Sequence, residues 1–222
     1  MQVAPPEPFH YAPPEEPLRV LHADDEILVL SKPSGLLSVP GKPAAHADCL
    51  ESRAKAQFPS ARIVHRLDMD TSGIIVMAMN AAAHRHLGLQ FERRKTEKTY
   101  VARVWGNIDE ASGTVDAPLA CDWPNRPRQM IDRENGRTAI THWRLLEREG
   151  NATRVQLRPV TGRSHQLRVH MLSLGHPVLG DNLYATGEAL SAASRLQLHS
   201  ESLTLHHPDG GERLTFTAPC PF

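Results

Sequence analysis

Apolar and polar positions along this chain follow mostly a strand rhythm, broken in a few places by a helical one. Glu26-Ile27-Leu28-Val29-Leu30-Ser31-Lys32 is a short apolar run stopped by Pro33-Ser34-Gly35, and Ile74-Ile75-Val76-Met77-Ala78 is a second such run. Runs of this length, bounded by turn residues and without helical period, predict buried strands. Leu18–His22, Thr99–Trp105, Gly113–Leu119, Arg195–Leu205 and Leu214–Phe216 predict further strands, and Ala61–Val64 leads into the polar stretch that follows. Ala139–Leu146 and Thr153–Arg158 alternate with period two, and Glu149-Gly150-Asn151 between them predicts a hairpin. Helical spacing is confined to three stretches. Ala45–Phe58 is weakly helical and is ended by Pro59-Ser60. Ala83, Leu87 and Phe91 recur behind an N-cap candidate at Asn80, with Gly88 weakening that helix by about 1 kcal/mol relative to Ala. Ser164–Leu174 places Leu167 and Met171 on one face, with Ser164 as a candidate cap and Gly175 as the stop. Many strands with little βα alternation predict an α+β domain, a mainly antiparallel sheet flanked by helices.

The stretch around which this pattern is organised is His65-Arg66-Leu67-Asp68-Met69-Asp70-Thr71-Ser72-Gly73, a dense polar cluster running straight into the Ile74–Ala78 strand. A loop held at the mouth of a core strand can fix charged groups beside apolar packing, where carboxylates acquire the shifted pKa values that catalysis often needs. Asp68 and Asp70 are both candidates there. The bland alternative is that one of them caps the following turn.

Composition narrows the function classes. The 222 residues balance 25 Lys+Arg against 25 Asp+Glu, so binding of nucleic acid by bulk charge is disfavoured, although local basic patches remain open. Cys49, Cys121 and Cys220 are unclustered, which together with the absence of a basic-then-apolar leader predicts reduced thiols in a cytoplasmic protein. No apolar run approaches bilayer-spanning length, so no membrane partner is expected. Residues 1–17 carry six prolines and read as an extended or disordered tail, with the domain spanning 18–222. The 13 His raise the question of a metal, but His65, His165, His170, His199, His206 and His207 show no ligand spacing; no metal and no cofactor are expected. There is no phosphate-binding glycine loop, which favours chemistry by side chains alone.

Other residues could carry chemistry. In Thr161-Gly162-Arg163-Ser164-His165-Gln166-Leu167-Arg168-Val169-His170, Arg163 could grip a carboxylate bidentately, and Arg163, Arg168 and Arg158 form a basic cluster that would suit phosphates. The plainer reading is a solvated helix face with one structural ion pair. Tyr100 sits early on a strong strand, where a core role is commoner than a proton-carrying one. Trp123, Arg126 and Arg128 share a proline-rich loop, and an exposed ring beside arginines suits RNA.

Taken together, His65-Arg66-Leu67-Asp68 with Thr71-Ser72-Gly73, then Lys98-x-Tyr100, then Thr161–His170, and finally Arg195–Ser200 resemble the RluA-type pseudouridine synthases, in that order and from about Leu18 to the C-terminus. The resemblance implies a curved, mixed sheet with a central active-site cleft, the pseudouridine synthase fold, and isomerisation of an RNA uridine without cofactor or metal. It implies Asp68 as the essential nucleophile, Arg163 as its ion-pair partner and Tyr100 packed on the uracil. It places Arg66 to fill the stack left by a flipped uridine, makes His65 structural or RNA-contacting, and has Leu198 line the pocket wall. Asp70 matches a variable family position. Cys121–Pro127 with Gln129 is similar to the branch acting on a tRNA anticodon-loop uridine and a 23S rRNA uridine. The short segment before Val20 leaves no room for the S4 domain of many relatives, so the Trp123–Arg128 loop and Arg168 are expected to contact RNA, the enzyme acting as a monomer. Two rivals stand beside this: a non-catalytic RNA-binding or ribosome-assembly protein on the same scaffold, and a hydrolase releasing free uracil.

Overall fold

The computed structural model describes residues 11–222. Of the Pro-rich segment, residues 1–10 lie outside the described residues. Residues 11–17 carry no regular structure but are tied down: Tyr11 is buried and its hydroxyl donates to Asp48 O, while the Arg53 guanidinium donates to Pro14 O and Glu16 O.

Among the described residues, ten strands form one sheet. β1 (Arg19–Ala23), β2 (Ile27–Lys32) and β4 (Ser72–Ala78) are followed across it by β11 (Leu198–His206), β5 (Glu97–Trp105), β10 (Ala152–Pro159), β9 (Ile140–Glu149) and β6 (Ser112–Asp116). β3 (Arg62–Ile63) adds to β4 and β12 (Arg213–Thr217) to β11. Every pairing is antiparallel except β4 with β11. β7 (Leu119–Cys121) and β8 (Gln129–Ile131) make a separate two-stranded hairpin. Among the described residues, four α-helices flank the strands: α1 (Leu50–Gln57), α2 (Ala81–Glu92), α3 (Gln166–Ser173) and α4 (Gly187–Ser191). The expected mixed, mainly antiparallel α+β architecture is thus observed.

β4 explains why its sequence lacks alternation. All seven of its residues are buried, because α1 covers one face through Leu50 and Ala54 and α2 the other through Ala83 and Leu87. A strand covered on both faces gains about 2 kcal/mol per large apolar side chain and has no use for polar positions. Helix starts follow local chemistry. The Asn80 side chain accepts from Ala83 N at 2.8 Å, as its position before α2 predicts. The first helical stretch is shorter than its periodicity suggests: Cys49 is the N-cap of α1, in a reciprocal arrangement with Ser52, and residues 44–46 form only a 3-10 turn. The 139–146 and 153–158 stretches pair as the predicted hairpin, turning at Gly150. The third helix starts later than expected. Ser164 does not cap it; His165 occupies the N-cap position in left-handed conformation at φ 52°, without a side-chain capping bond. The turn before it is held by Gln166, whose Oε1 accepts from Arg163 N and from the Thr161 hydroxyl. That delay sets which arginine faces inward.

Candidate active site

The sheet register builds the site. At the parallel junction Gly73 of β4 lies opposite Ser200 of β11, and Ser200 lies opposite Tyr100 of β5. The loop entering β4 therefore ends one strand away from Tyr100. Gly73 has φ 110°, and a Cβ there would lie 2.2 Å from Ser200 O, so only glycine permits this approach.

The 66–71 loop is gripped from behind by the segment following β2. Lys32 Nζ donates to Pro33 O, Leu36 O and Met69 O at 2.7–2.9 Å. Gly35 N donates to Met69 O, the Ser34 hydroxyl to Asp70 O and the Ser38 hydroxyl to Leu67 O. Lys32 is 1% exposed, and burial lowers its pKa to about 7, opposed by the Asp70 and Asp68 charges. Sequence reasoning passed over this lysine; its signal was a single ammonium ending an otherwise apolar strand.

Asp68 is set in place by that loop, its side chain 28% exposed. Its cationic neighbour is Arg168. The Arg168 guanidinium is locked on buried Asp181 through Nε (2.7 Å) and Nη2 (2.6 Å), and presents Nη1 to Asp68 Oδ2 at 3.6 Å. A separation of that length compensates charge without consuming the carboxylate's lone pairs in a hydrogen bond. Burial pulls the Arg168 pKa down, but Asp181 and then Asp68 outweigh it, and the group stays charged.

Arg163, expected as the ion-pair partner, is not. It lies ahead of the left-handed turn at His165, donates from Nε to Thr138 O, and has Arg137 and Arg94 as its charged neighbours. Arg168, expected on RNA, is instead buried behind the carboxylate, and the cluster of Arg163, Arg168 and Arg158 does not form: Arg158 is exposed on β10. Asp70 shares the neighbourhood. Burial raises its pKa, opposed by Arg168 and Lys32, and Asn182 donates to its Oδ2 at 3.4 Å.

Tyr100 packs between the core under α3 and the core under α1. Burial pushes its hydroxyl up to about 12, with Ser200 opposing and Asp68 adding to the shift, so the phenol keeps its proton at neutral pH. Leu198 is 3% exposed in the same core as Ala102, Leu157 and Met171, supporting Tyr100 from within the sheet instead of forming an open wall. Arg66 is exposed, two positions before Asp68, and engages no side-chain partner among the described residues. His65 turns inward: its Nε2 accepts from Val76 N at 3.1 Å, its ring stacks on Phe91, and burial together with Lys98 lowers its pKa to about 3. These contacts give it the structural role, as a neutral group. His170 and His199 likewise bond buried partners, Thr141 with Ala117 O and Ser72 with Ala218 O, which accounts for several of the many histidines. Among the described residues, no cluster of three His, Cys, Asp or Glu could hold a metal ion, and no helix is long and apolar enough to cross a membrane.

The β7–β8 hairpin is tied to this site through Tyr184. Trp123, in its loop, is 70% exposed with Arg126 stacked on its ring at 4.7 Å. Arg128 instead turns inward onto Tyr184, at 5.3 Å from the ring centroid. Tyr184 was not singled out by the sequence; the Asp181-Asn-Leu-Tyr184 turn following Gly180 was the available signal. A groove of about 410 Å³ lies elsewhere, lined by residues including Thr99, Gln156, Arg158 and Glu201. By strand alternation this is the sheet face away from Tyr100 and Leu157.

A mixed sheet whose parallel junction carries a braced, Arg-compensated carboxylate loop has counterparts among known proteins. The solved structure of Human RNA Pseudouridylate Synthase Domain Containing 1 is similar with TM-score 0.79 and 30% identity, over 97% of this chain and 87% of that one. The RNA pseudouridylate synthase family profile matches residues 26–173. Dual-specificity RNA pseudouridine synthase RluA of Salmonella typhi is 55% identical over 215 residues, 96% of this chain and 98% of the relative; that of Escherichia coli strain K12 is 54% identical over the same length. The chain belongs to the RNA pseudouridylate synthase family: it is an RluA-type enzyme that isomerises uridine to pseudouridine in RNA.

Proposed function

We propose that Asp68 is the carboxylate that drives this isomerisation, with Arg168 in the role of its ion-pair partner. The observation that carries the reading is the 3.6 Å approach of an immobilised guanidinium to the partly exposed Asp68 carboxylate on the braced loop. The reaction breaks the bond from uracil N1 to the ribose C1′ and forms one from C5 to C1′. N1 gains a proton and C5 loses one, so the sum is an isomerisation with no external reactant. A compensated but unbound carboxylate can attack carbon or stabilise a developing cation. Tyr100, apolar and protonated, offers a platform for the uracil ring. Arg66, exposed two positions before Asp68, is on this reading the side chain that takes the space of the extruded base. Arg163, Arg94, Arg137 and Lys98 carry charge with no carboxylate partner among the described residues and form a basic rim suited to phosphates.

The substrates we assign are a tRNA anticodon-loop uridine and a 23S rRNA uridine, supported by the identity with dual-specificity relatives. Residues 18–222 act as the catalytic unit, as a monomer in the cytoplasm, and the Trp123–Arg128 segment meets the RNA. The test uses tRNA and 23S rRNA transcripts carrying tritium at uracil C5. The native chain releases tritium to water and liberates no free base, whereas Asp68→Ala releases none. Activity retained by Asp68→Ala overturns the assignment, and free uracil marks a hydrolase.

A further inference from the structure

Between the hairpin and the carboxylate lies one side chain that touches both the hairpin and the carboxylate's cationic partner. Tyr184 is 6% exposed. Its hydroxyl accepts from Gln129 N at 2.7 Å, at the first residue of β8, and makes a second bond of 2.7 Å with His165 Nδ1, at the cap of α3. Its ring carries two guanidiniums, Arg128 of the hairpin at 5.3 Å and Arg168 at 5.1 Å. Its backbone N–H donates to Asp181 Oδ1, the same atom that holds Arg168 Nη2. One residue thus fixes the base of the hairpin, the start of α3 and the guanidinium facing Asp68. Arg128 Nε is the only buried side-chain nitrogen or oxygen among the described residues without a hydrogen-bond partner. Such an atom in a protein interior calls for a cause, and this one lies at the joint between the hairpin and Tyr184.

We propose that Tyr184 is a positioning residue that couples the β7–β8 hairpin to the Asp68–Arg168 pair. On this proposal, which rests on the site reading above, RNA held by the hairpin sets the position of Gln129 on the Tyr184 hydroxyl and of Arg128 on its ring, and the hydroxyl carries this to His165 at the start of α3. The ring and the Asp181 turn then set Arg168 against Asp68. Docking of RNA at the hairpin is converted into rate, beyond affinity.

A double-mutant cycle tests this, because groups acting through a shared element show non-additive effects and independent ones do not. Single-turnover tritium release from 5-tritiated tRNA transcripts, at saturating enzyme, is measured for the native chain, Tyr184→Phe, Arg128→Ala and the double variant. Tyr184→Phe keeps the ring and frees Gln129 N–H and His165. It is expected to lower the saturating rate at least about tenfold, since two hydrogen bonds are lost. Arg128→Ala is expected to lower the saturating rate as well as weaken RNA binding. The double variant should be no slower than the slower single one. A merely structural tyrosine gives multiplicative rate effects, and that outcome overturns the proposal. If Tyr184→Phe fails to fold, Arg128→Ala decides alone: an unchanged rate at saturation overturns the coupling. Asp68→Ala is run alongside. Activity retained there overturns the site reading, whereas multiplicative effects with an inactive Asp68→Ala overturn the coupling only.

Discussion

At the scale of single residues, two arginines five positions apart differ in surroundings, and the difference is testable. Arg168 sits between a fully buried aspartate and a partly exposed one, and its planar fork serves both at once. Arg168→Lys supplies a single ammonium that cannot hold two oxygens of Asp181 and also face Asp68. We expect kcat to fall at least about 100-fold, a loss of about 2.7 kcal/mol in transition-state stabilisation. Arg163→Ala removes a rim charge, so KM for RNA should rise severalfold with a smaller change in kcat. Steady-state kinetics of both variants check this, and the reverse pattern would restore Arg163 as the partner. The sequence offered both arginines and the resemblance pointed to Arg163. Choosing between them depended on where α3 begins, and that rests on the left-handed His165 and the Gln166 side chain, neither of which has a reliable sequence signature.

Elements show the same division through their glycines and their hairpin. Gly88, in α2, has no atom within 4 Å of the position its Cβ would take, and its backbone is helical. Gly88→Ala should therefore stabilise the protein by about 0.5–1 kcal/mol. Gly73→Ala meets Ser200 O and an unfavourable φ at once, and should cost about 3 kcal/mol or more together with activity. Urea unfolding of the two variants should give opposite signs. The β7–β8 hairpin calls for a binding measurement. Replacing Arg126 and Arg128 by Ala should weaken RNA binding and flatten the slope of log affinity against log salt, by about 0.7 for each phosphate no longer neutralised. An unchanged slope removes this hairpin from the RNA interface.

For the whole molecule, pH is the informative variable. Burial depresses His65 to about 3, and lowers His170 and His199 as well. A histidine whose folded pKa lies below its unfolded value binds fewer protons when folded, so stability falls as pH drops from about 6.5 towards 3. Asp24, which burial raises but which His22 and two backbone N–H groups bring down to about 2, loses its contribution only below about 3.8. His207, raised despite burial by Asp209 O and Asp24, works oppositely and stabilises at low pH. Unfolding free energies at pH 7.5 and 5.0 should therefore fall with acidification, and His65→Gln, which keeps an acceptor for Val76 N, should flatten that slope. Parallel slopes would remove His65 as a source.

Local pattern alone determined a good deal here. The buried runs of β2 and β4, the 139–158 hairpin, the Asn80 cap and the position of Asp68 before a core strand are all written in nearest-neighbour chemistry, because hydrophobic period and turn residues act within a few positions. The parallel β4–β11 junction, the burial of Lys32, the inward turn of His65, and the joining of Asp68, Arg168, Asp181 and Tyr184 were decided only by the tertiary structure. Those pairings link residues far apart in the chain, and register and packing select them from alternatives that local sequence leaves equally favourable.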